Sequence, residues 1–360
     1  MKRVMVVLPE LETGGGQRIA LEIVRNIKRE DVVIQVVSLY PRRGEILETL
    51  ADESGIDVRY LSKTKGFCPA VFFQIYRVIR EFRPDVIHAH LRVMPYLLAP
   101  MCLCHVPRRY YTVHNLADRD ASGVKRLILR FAFRFCKVLP VAISPLCQRS
   151  ICQVYGLPME KVALVEQGID VKRFVRPEKY DQLPDDEIRI LAVGRLSEQK
   201  NYELMLDVFR EVHSLHPNTS LLILGEGEKR ELLQQRIEQL GISDSVSMPG
   251  ITDKVNEAMW NSHIYLMSSH YEGLPLVVLE AMSAGMPIVS TRAGGVVDVV
   301  LDGENGFLVE CGDAQGLARG LSRLIEDRAL RERFSACSEQ LAQRYSIENH
   351  AQKYLELYLK

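Results

Sequence analysis

Short apolar segments recur along this chain, with longer amphipathic segments between them, and this alternation limits the folds that the chain can adopt. The apolar segments are rich in Val, Ile and Leu and lie at 3–9, 32–40, 85–91, 108–114, 137–144, 161–167, 188–194, 219–225, 245–250, 263–269 and 286–291. Strands of this kind with helices between them are typical of parallel sheets that are covered on both faces. The predicted fold class is therefore α/β, with doubly wound parallel sheets of Rossmann-like topology.

A polar segment at 171–187 interrupts the alternation; it contains two prolines and ends in three acidic residues, which predicts a linker. A chain of 360 residues also exceeds one ordinary domain. We predict an N-terminal domain at 1–170, a second domain at 188–344, and a C-terminal helix at 345–360 that packs back toward the N-terminal domain. Two doubly wound domains that face each other place the carboxyl ends of both sheets at a shared cleft, where ligands bind.

The formal net charge of zero conceals two oppositely charged halves. Residues 1–170 contain 25 Lys and Arg against 17 Asp and Glu, whereas the remaining residues contain 21 against 29. A basic half suits a phosphate-rich ligand or an anionic membrane surface. Eight scattered cysteines without a C-x-x-C pair indicate reduced thiols. No segment resembles a signal peptide or approaches the roughly 18 apolar residues of a membrane span. We expect a cytoplasmic protein, peripheral on the inner face of a membrane.

Three consecutive glycines, Gly14, Gly15 and Gly16, follow the first predicted strand and open a helix. Free backbone N–H groups at a helix N-terminus form an anion site. The turn is neither a dinucleotide fingerprint nor a P-loop, because Ile19 stands where the last glycine would be and no Gly-Lys-Ser/Thr follows. We predict phosphate contact here, with a plain tight turn as the alternative.

Two cations, Arg195 and Lys200, lie five residues apart between a predicted strand and the helix that follows it. Guanidinium and ammonium groups beside helix-terminal amides can clamp a diphosphate. An ordinary surface pair is the alternative interpretation.

Two carboxylates, Glu272 and Glu280, lie eight residues apart around the start of an apolar helix. If residues 272–280 approximate a helix, the two are separated by about 12 Å along the axis and roughly 80° in azimuth. Both can then reach one ligand. A carboxylate in an apolar helix needs a partner. Hydroxyl groups of a ligand could satisfy Glu280, and an internal salt bridge is the alternative.

The chain resembles the retaining, nucleotide-sugar-dependent glycosyltransferases of family 4, which have the two-domain GT-B fold. The resemblance extends nearly end to end, and the E-x7-E and R-x4-K spacings are specific to this type of enzyme. It is carried by the segments GGGQR (14–18), DVIHAHL (85–91), TVHN (112–115), GRLSEQKN (194–201), EGLPLVVLEAMSAGMPIVST (272–291), AGGVVDVVLDGENGFLV (293–309) and YSIENHAQKYLELY (345–358).

This resemblance implies an acceptor-binding, membrane-facing N-terminal domain and a donor-binding second domain. It assigns the transferred sugar to Glu272 and the amides of Gly273 and Leu274, with His114 approaching the sugar from the N-terminal domain. Glu272 and His114 are thus the expected catalytic residues. The remaining assignments are the ribose to Glu280, the diphosphate to Arg195, Lys200 and Gly16, and the acceptor side to Gly14 and Gly15. His88 and His90 are interpreted as structural residues at a strand end.

The sequence departs from the family pattern at two places. Gln167-Gly168 stands where Asn-Gly is usual, which affects hinge geometry, and Asp298 replaces a common Glu, which shortens or removes its contact. A D-x-D pattern at Asp118 and Asp120 lies in a polar loop and is interpreted as chance. We predict neither a metal nor a cofactor, because Arg195 and Lys200 would neutralise the leaving diphosphate.

A basic amphipathic segment spans 122–138, where Arg126, Arg130 and Arg134 recur every four residues among Leu, Ile and Phe. The alternative is a core helix with a solvated basic edge. Together with the positive charge of this half, the segment predicts docking on anionic lipid.

We therefore expect a retaining hexosyltransferase whose donor is a nucleoside diphosphate sugar, in particular a UDP-sugar. It would move a hexose or N-acetylhexosamine to a hydroxyl of a lipid-linked saccharide in the assembly of cell-surface polysaccharide. No nucleic-acid partner is expected. The rival hypotheses are a nucleotide-sugar epimerase and a non-catalytic nucleotide-sugar binding module. A dehydrogenase is disfavoured because the chain lacks the dinucleotide fingerprint.

Overall fold

The computed structural model describes residues 1–12, 14–28, 30–178, 183–184 and 186–360, which form two compact units. The first unit comprises residues 1–168 and 347–360, and the second comprises 169–346. Each unit contains one parallel sheet with helices, as the alternation of apolar and amphipathic segments predicts. No helix in the described part of the chain is long and apolar enough to cross a membrane.

The first unit is built on a seven-stranded parallel sheet in the order β3-β2-β1-β4-β5-β6-β7. Its strands are β1 (Lys2–Leu8), β2 (Val32–Ser38), β3 (Val58–Tyr60), β4 (Val86–His90), β5 (Arg108–Val113), β6 (Val138–Ala142) and β7 (Ala163–Leu164). Its helices up to residue 168 are α1 (Gly15–Asn26), α2 (Ile46–Glu53), α3 (Ala70–Phe82), α4 (Met94–Leu103), α5 (Ala117–Asp120), α6 (Gly123–Phe135) and α7 (Pro145–Tyr155).

The second unit is built on a six-stranded parallel sheet in the order β10-β9-β8-β11-β12-β13. Its strands are β8 (Ile188–Val193), β9 (Thr219–Leu224), β10 (Val246–Gly250), β11 (Ile264–Met267), β12 (Ile288–Thr291) and β13 (Gly306–Val309). Its described helices are α8 (Val171–Phe174), α9 (Tyr202–Leu215), α10 (Arg230–Leu240), α11 (Val255–Trp260), α12 (Leu276–Ser283), α13 (Ala314–Glu326) and α14 (Arg328–Ala342).

The last helix, α15 (Ile347–Leu359), belongs to the first unit. Its buried Tyr358 hydroxyl lies 2.6 Å from Nδ1 of His88, and its Tyr354 hydroxyl lies 3.0 Å from the Thr112 hydroxyl. The Tyr110 hydroxyl of β5 donates to the carbonyl of Leu357 at 2.8 Å. These contacts fix α15 to buried polar side chains of β4 and β5.

The segment predicted as a linker, 171–187, is structured at its start. Val171–Phe174 form α8, and both terminal side chains are buried. Trp260 Nε1 donates to the carbonyl of Phe174 at 2.8 Å, and Ser283 Oγ donates to that of Val171 at the same distance. These residues therefore belong to the second unit, whose boundary lies after Gly168 and not after 187. Residues 179–182 and 185 of the predicted linker lie outside the described residues.

Candidate active site

In the second unit the order of the sheet reverses between β8 and β11, and two connections leave the sheet at this point. Ser268 Oγ, after β11, donates to the carbonyls of Lys200 at 3.0 Å and Asn201 at 2.9 Å, both after β8. The backbone N–H of His270 donates to the carbonyl of Gln199 at 2.9 Å. The switch point of an open parallel sheet is where ligands bind in such folds. The two connections are thus joined at the position expected for a site.

Lys200 and Glu272 meet across these connections. The Lys200 Nζ lies 2.7 Å from Glu272 Oε1, and the two side chains are 14% and 8% exposed. Ser269 Oγ donates to the same oxygen at 2.8 Å, and Gln199 Nε2 donates to Oε2 at 3.3 Å. The carboxylate is therefore held in one orientation by three donors. The structure brings together the cation predicted for the diphosphate and the carboxylate predicted for the sugar.

Two glycines hold the Glu272–Leu274 loop close to the turn that follows β12. A Cβ on Gly294, whose φ is +59°, would lie 1.8 Å from the carbonyl oxygen of Glu272. A Cβ on Gly295 would lie 1.9 Å from the carbonyl oxygen of Gly273, which accepts a hydrogen bond from the Gly295 N–H at 2.8 Å. No larger residue fits at either position without moving the loop. The double glycine therefore fixes the loop that carries Glu272.

Arg195 has a different environment from Lys200, although both follow β8. The Arg195 side chain is 75% exposed and lies 3.2 Å from Glu228, itself 55% exposed. An exposed pair of this kind contributes little to stability and leaves the guanidinium accessible to a ligand. The structure thus separates the two predicted diphosphate cations into a largely buried one and an exposed one.

Glu280 is buried within α12. The helix begins at Leu276, with Pro275 as its N-cap, so residues 272–275 are not helical. The spacing expected from a helix over 272–280 is therefore wrong. The charges of Glu272 and Glu280 nevertheless both affect the buried Tyr265. The pKa of the Tyr265 hydroxyl is raised by burial first, and then by Tyr202, Glu272 and Glu280.

In the first unit, the glycine turn opens α1 as predicted. Gly14 is the N-cap, so the N-cap residue has no side chain to bond the first amides, and α1 starts at Gly15. A Cβ on Gly16 would lie 2.9 Å from Cδ2 of Leu91 and 3.4 Å from Nδ1 of His114. Gly16 and His114, two predicted site residues, are thus neighbours at the carboxyl ends of β1 and β5. Thr13 lies outside the described residues.

His114 is held by two contacts. Its Nε2 lies 3.0 Å from Nδ1 of His90, and its backbone N–H donates to Oδ1 of Asp120 at 3.3 Å. Burial, with a smaller effect of His350, lowers the pKa of His114 to about 4. The imidazole is therefore neutral at physiological pH.

The D-x-D carboxylates lie in the short helix α5 and not in a loop as predicted, and their surroundings differ. Asp120 accepts from the Tyr111 hydroxyl at 3.1 Å, and burial raises the pKa of Asp120 to about 6. The Asp118 side chain is half exposed and lies 3.5 Å from Arg119. Within the described ranges, no three His, Cys, Asp or Glu side chains are placed to hold a metal. Metal independence stays a prediction.

The three arginines predicted to dock on lipid contact backbone carbonyls. Arg126 donates to the carbonyls of Ala121 and Asp118 at 2.9 and 2.7 Å. Arg130 donates to the carbonyl of Val154 at 2.8 Å, and Arg134 donates to those of Tyr155 and Gly156 at 3.2 and 3.1 Å. The last two arginines therefore satisfy carbonyls at the C-terminus of α7, where such groups lack helical partners. Their positions are explained by this capping.

Sequence reasoning left out four residues that shape the site: Gln199, Ser269, Gly294 and Gly295. The double glycine was visible in the sequence. Two adjacent glycines after a predicted strand could have been taken as a signal that another backbone approaches closely there. Gln199 and Ser269 carry no signal of their own, because their role depends on which loops the sheet order brings together.

Two protein-family models match the chain. Glycosyltransferase Family 4 matches residues 13–173, and Glycosyl transferases group 1 matches residues 177–340. The lipopolysaccharide core biosynthesis glycosyltransferase LpsD of Rhizobium meliloti (strain 1021) is 33% identical over 290 residues, which cover 78% of this chain and 77% of the relative. Two other relatives are matched over 50% and 45% of their own length.

A further relative and a solved structure match over nearly the whole chain. The UDP-Gal:alpha-D-GlcNAc-diphosphoundecaprenol alpha-1,3-galactosyltransferase of Escherichia coli is 22% identical over 367 residues, covering 91% of this chain and 92% of the relative. The crystal structure of Anabaena HepE in complex with UDP and glucose has a TM-score of 0.86 at 20% identity and covers 99% of both chains. Together, the family matches, the relatives and the two parallel-sheet domains show that the chain belongs to glycosyltransferase family 4, has the GT-B fold, and is a glycosyltransferase.

Proposed function

We propose that this glycosyltransferase moves a hexose or N-acetylhexosamine from a UDP-sugar to a hydroxyl of a lipid-linked saccharide, with retention of the anomeric configuration, in the assembly of cell-surface polysaccharide. The names of the relatives support this class of donor and acceptor, since one is a UDP-galactose transferase acting on a diphosphoundecaprenol-linked sugar and another acts in lipopolysaccharide core biosynthesis. The observation that carries the proposal is the Lys200–Glu272 pair at the switch point of the second unit.

The pair supplies the two charges that the transfer needs. Negative charge develops on the diphosphate as it departs, and Lys200 with the exposed Arg195 would neutralise it. Positive charge develops on the sugar ring, and the Glu272 carboxylate would stabilise it there. The α1 amides near Gly16 would add hydrogen bonds to the phosphate oxygens.

The remaining residues would position the substrates. Gly273 and Leu274 would bind the sugar through their amides, and His114 would contact it as a neutral imidazole. Glu280 would bind the ribose hydroxyls, and Gly14 and Gly15 would lie on the acceptor side. Correct placement of the donor and the acceptor hydroxyl supplies much of the rate acceleration in a transfer of this kind.

A donor panel tests the proposal. Thermal shifts with UDP, GDP and ADP, and with their sugar derivatives, should identify the donor, because binding to the native state alone raises its stability. Transfer is then measured by mass spectrometry with a polyprenyl-diphosphate saccharide as acceptor. An isomerised sugar formed from the donor alone would support an epimerase. Donor binding without any transfer to the acceptors tried would support the binding module.

We expect transfer to persist in excess EDTA. Lysine and arginine would neutralise the diphosphate without a divalent ion. The rate is measured with and without the chelator after extensive dialysis. A loss of activity that Mg²⁺ or Mn²⁺ restores would contradict the assignment of Arg195 and Lys200 and return attention to Asp118 and Asp120.

Glu280→Gln should raise the donor KM and leave kcat nearly unchanged. The ribose contacts are the same in the ground and transition states, so their loss is a loss of uniform binding. A hydrogen bond to a charged group contributes about 1.5–3 kcal/mol. Kinetics are measured at saturating acceptor, with circular dichroism as the folding control. A variant that unfolds would show that Glu280 serves an internal ion pair, the alternative interpretation.

We also propose that the outer face of α6 docks on an anionic membrane. Four apolar side chains of this helix, Val124, Leu127, Phe131 and Phe135, are 53–71% exposed. Lys125, Arg130, Arg134 and Lys137 are exposed among them. The segment 122–138 contains no acidic residue. Apolar insertion together with attraction to anionic headgroups is the usual basis for interfacial helix binding. Insertion of the exposed phenylalanines would supply most of the membrane affinity, and the cations would add to it.

Replacing Phe131 and Phe135 together by Ser should release the protein from vesicles rich in phosphatidylglycerol. Each buried aromatic side chain contributes about 1.5–3 kcal/mol, and each cation near the surface about 1 kcal/mol. Lys125→Gln with Lys137→Gln should weaken binding to acidic vesicles without removing the arginine–carbonyl bonds of Arg126, Arg130 and Arg134. Leu215→Ser, which changes a 68%-exposed residue of α9, is the matched control. Unchanged co-sedimentation of folded variants would contradict the docking proposal.

A further inference from the structure

His90 and His114 form a hydrogen-bonded pair of imidazoles at the ends of neighbouring strands. His90 is the last residue of β4 and pairs in register with Thr112 of β5, two residues before His114. The Nδ1 of His90 lies 3.0 Å from the Nε2 of His114, and the ring centroids are 5.2 Å apart. Sequence reasoning treated His90 as a structural residue, but the structure places it in direct contact with a predicted catalytic residue.

When both rings are neutral, a single proton lies between Nδ1 of His90 and Nε2 of His114. Burial lowers the pKa of His90 well below its usual range and that of His114 to about 4. A neutral imidazole has one donor nitrogen and one acceptor nitrogen. Either His90 donates from Nδ1 to His114, or His114 donates from Nε2 to His90. The tautomer of each ring is therefore determined by that of the other.

The two outer nitrogens favour the first arrangement. Among the described residues, His90 Nε2 and His114 Nδ1 are both buried without a hydrogen-bond partner. If His114 donates to His90, the second N–H lies on His90 Nε2 and is buried without an acceptor. If His90 donates to His114, Nε2 of His90 keeps only an unpaired lone pair, and the N–H without a partner lies on Nδ1 of His114 instead. The two arrangements therefore differ in where this N–H lies: in His90, which is 0% exposed, or in His114, which is partly exposed beside the glycine turn. Orphaned buried N–H groups are rare, which favours the less enclosed position on His114.

The first arrangement also places the remaining N–H at the candidate site. With His90 as the donor, the proton of His114 lies on Nδ1. That nitrogen is 3.4 Å from the position of a Cβ on Gly16. The absence of a side chain at Gly16 therefore leaves Nδ1 facing the glycine turn that opens α1, where an oxygen of a ligand can accept the hydrogen bond.

We propose that His90 is a positioning residue that donates from Nδ1 to Nε2 of His114 and so holds His114 in the tautomer with its proton on Nδ1. His114 then donates a hydrogen bond to an oxygen of the nucleoside diphosphate sugar. That the oxygen belongs to a nucleoside diphosphate sugar rests on the proposed function. The tautomer of His114 in the free protein does not depend on it.

The tautomer is measured directly on the full-length protein with ¹⁵N-labelled histidine at neutral pH. Long-range ¹H–¹⁵N correlation spectra distinguish a protonated ring nitrogen from a bare one, and His114→Gln identifies the signals of His114. We expect a protonated Nδ1 and a bare Nε2 on His114. The opposite pattern, or a doubly protonated ring, would overturn the proposal.

Two substitutions at His90 separate hydrogen bonding from packing. His90→Asn retains an amide close to the position of Nδ1 and can donate to His114, whereas His90→Leu cannot. We expect His90→Leu to mix the His114 tautomers and to lower kcat/KM about tenfold or more. His90→Asn should keep the tautomer and most of the activity.

His88→Leu is the matched control, since His88 lies on the same strand and bonds to Tyr358 and Thr112, not to His114. It should lower the melting temperature and leave the His114 signals unchanged. Equal losses of activity in the Asn and Leu variants at position 90, with an unchanged tautomer, would show a purely structural role. If no donor is found, the spectra still decide the tautomer, so failure of the proposed function and failure of this inference remain distinguishable.

Discussion

Glu272→Gln should lower kcat about a hundredfold, with a much smaller change in the donor KM. Removal of one electrostatic contact to a developing charge costs on the order of 10²–10³ in kcat. Glutamine has the shape of glutamate and retains an oxygen for Ser269, so the substitution removes the charge while preserving the packing of a side chain that is 8% exposed. Initial rates at saturating acceptor, over a range of donor concentrations, separate the two parameters.

A matched control is Glu203→Gln, which removes a carboxylate of the same unit that pairs with Lys229 and is 43% exposed. We expect its kinetics to match those of the unmodified enzyme. If Glu272→Gln changes only KM, the carboxylate binds the sugar equally in both states, and the assignment of Glu272 to catalysis is wrong.

Lys200→Met should both abolish most activity and destabilise the second unit by about 3–5 kcal/mol. Removing one partner of a buried ion pair leaves the other charge without compensation. The double variant Lys200→Met with Glu272→Gln should recover much of the stability, because no buried charge remains, but it should stay as inactive as the single variants.

Chemical denaturation of the four proteins gives the coupling between the two side chains. Lys229→Met is the control: its side chain is 25% exposed and its partners Glu198 and Glu203 are 75% and 43% exposed. A surface pair of this kind contributes about 0–1 kcal/mol. If the losses of unfolding free energy in the two single variants add up to the loss in the double variant, Lys200 and Glu272 do not form a buried pair.

Most strands could be predicted because buried parallel strands are continuous apolar runs. The exceptions are short. The strands β3, with the three residues VRY, and β13, with the four residues GFLV, were not predicted, and the predicted strand at 161–167 contains only two strand residues, Ala163 and Leu164. Apolar periodicity cannot resolve elements of this length. The helix assumed over 272–280 was wrong at its start because Pro275 stands at the N-cap, where the chain is still extended.

The contacts of the site were less predictable than its residues. The motifs identified Arg195, Lys200 and Glu272 individually, but the Lys200–Glu272 bond depends on the adjacency of β8 and β11, which is a property of strand order. The same holds for His90, whose spacing from His114 along the chain says nothing about their contact across β4 and β5. Sequence patterns indicate which face of an element is buried and where a strand is followed by a helix. Which loops contact each other depends on the order of the strands in the sheet.

The position of α15 has a consequence for biosynthesis. The ribosome completes residues 169–346, and with them the whole second unit, before it makes the segment that supplies Tyr354 and Tyr358 to the first unit. Until then His88 and Thr112 lack the hydroxyl groups that they contact in the finished protein. Domains are generally completed in their order along the chain during synthesis. Here that order is reversed, and the unit begun first is the one finished last.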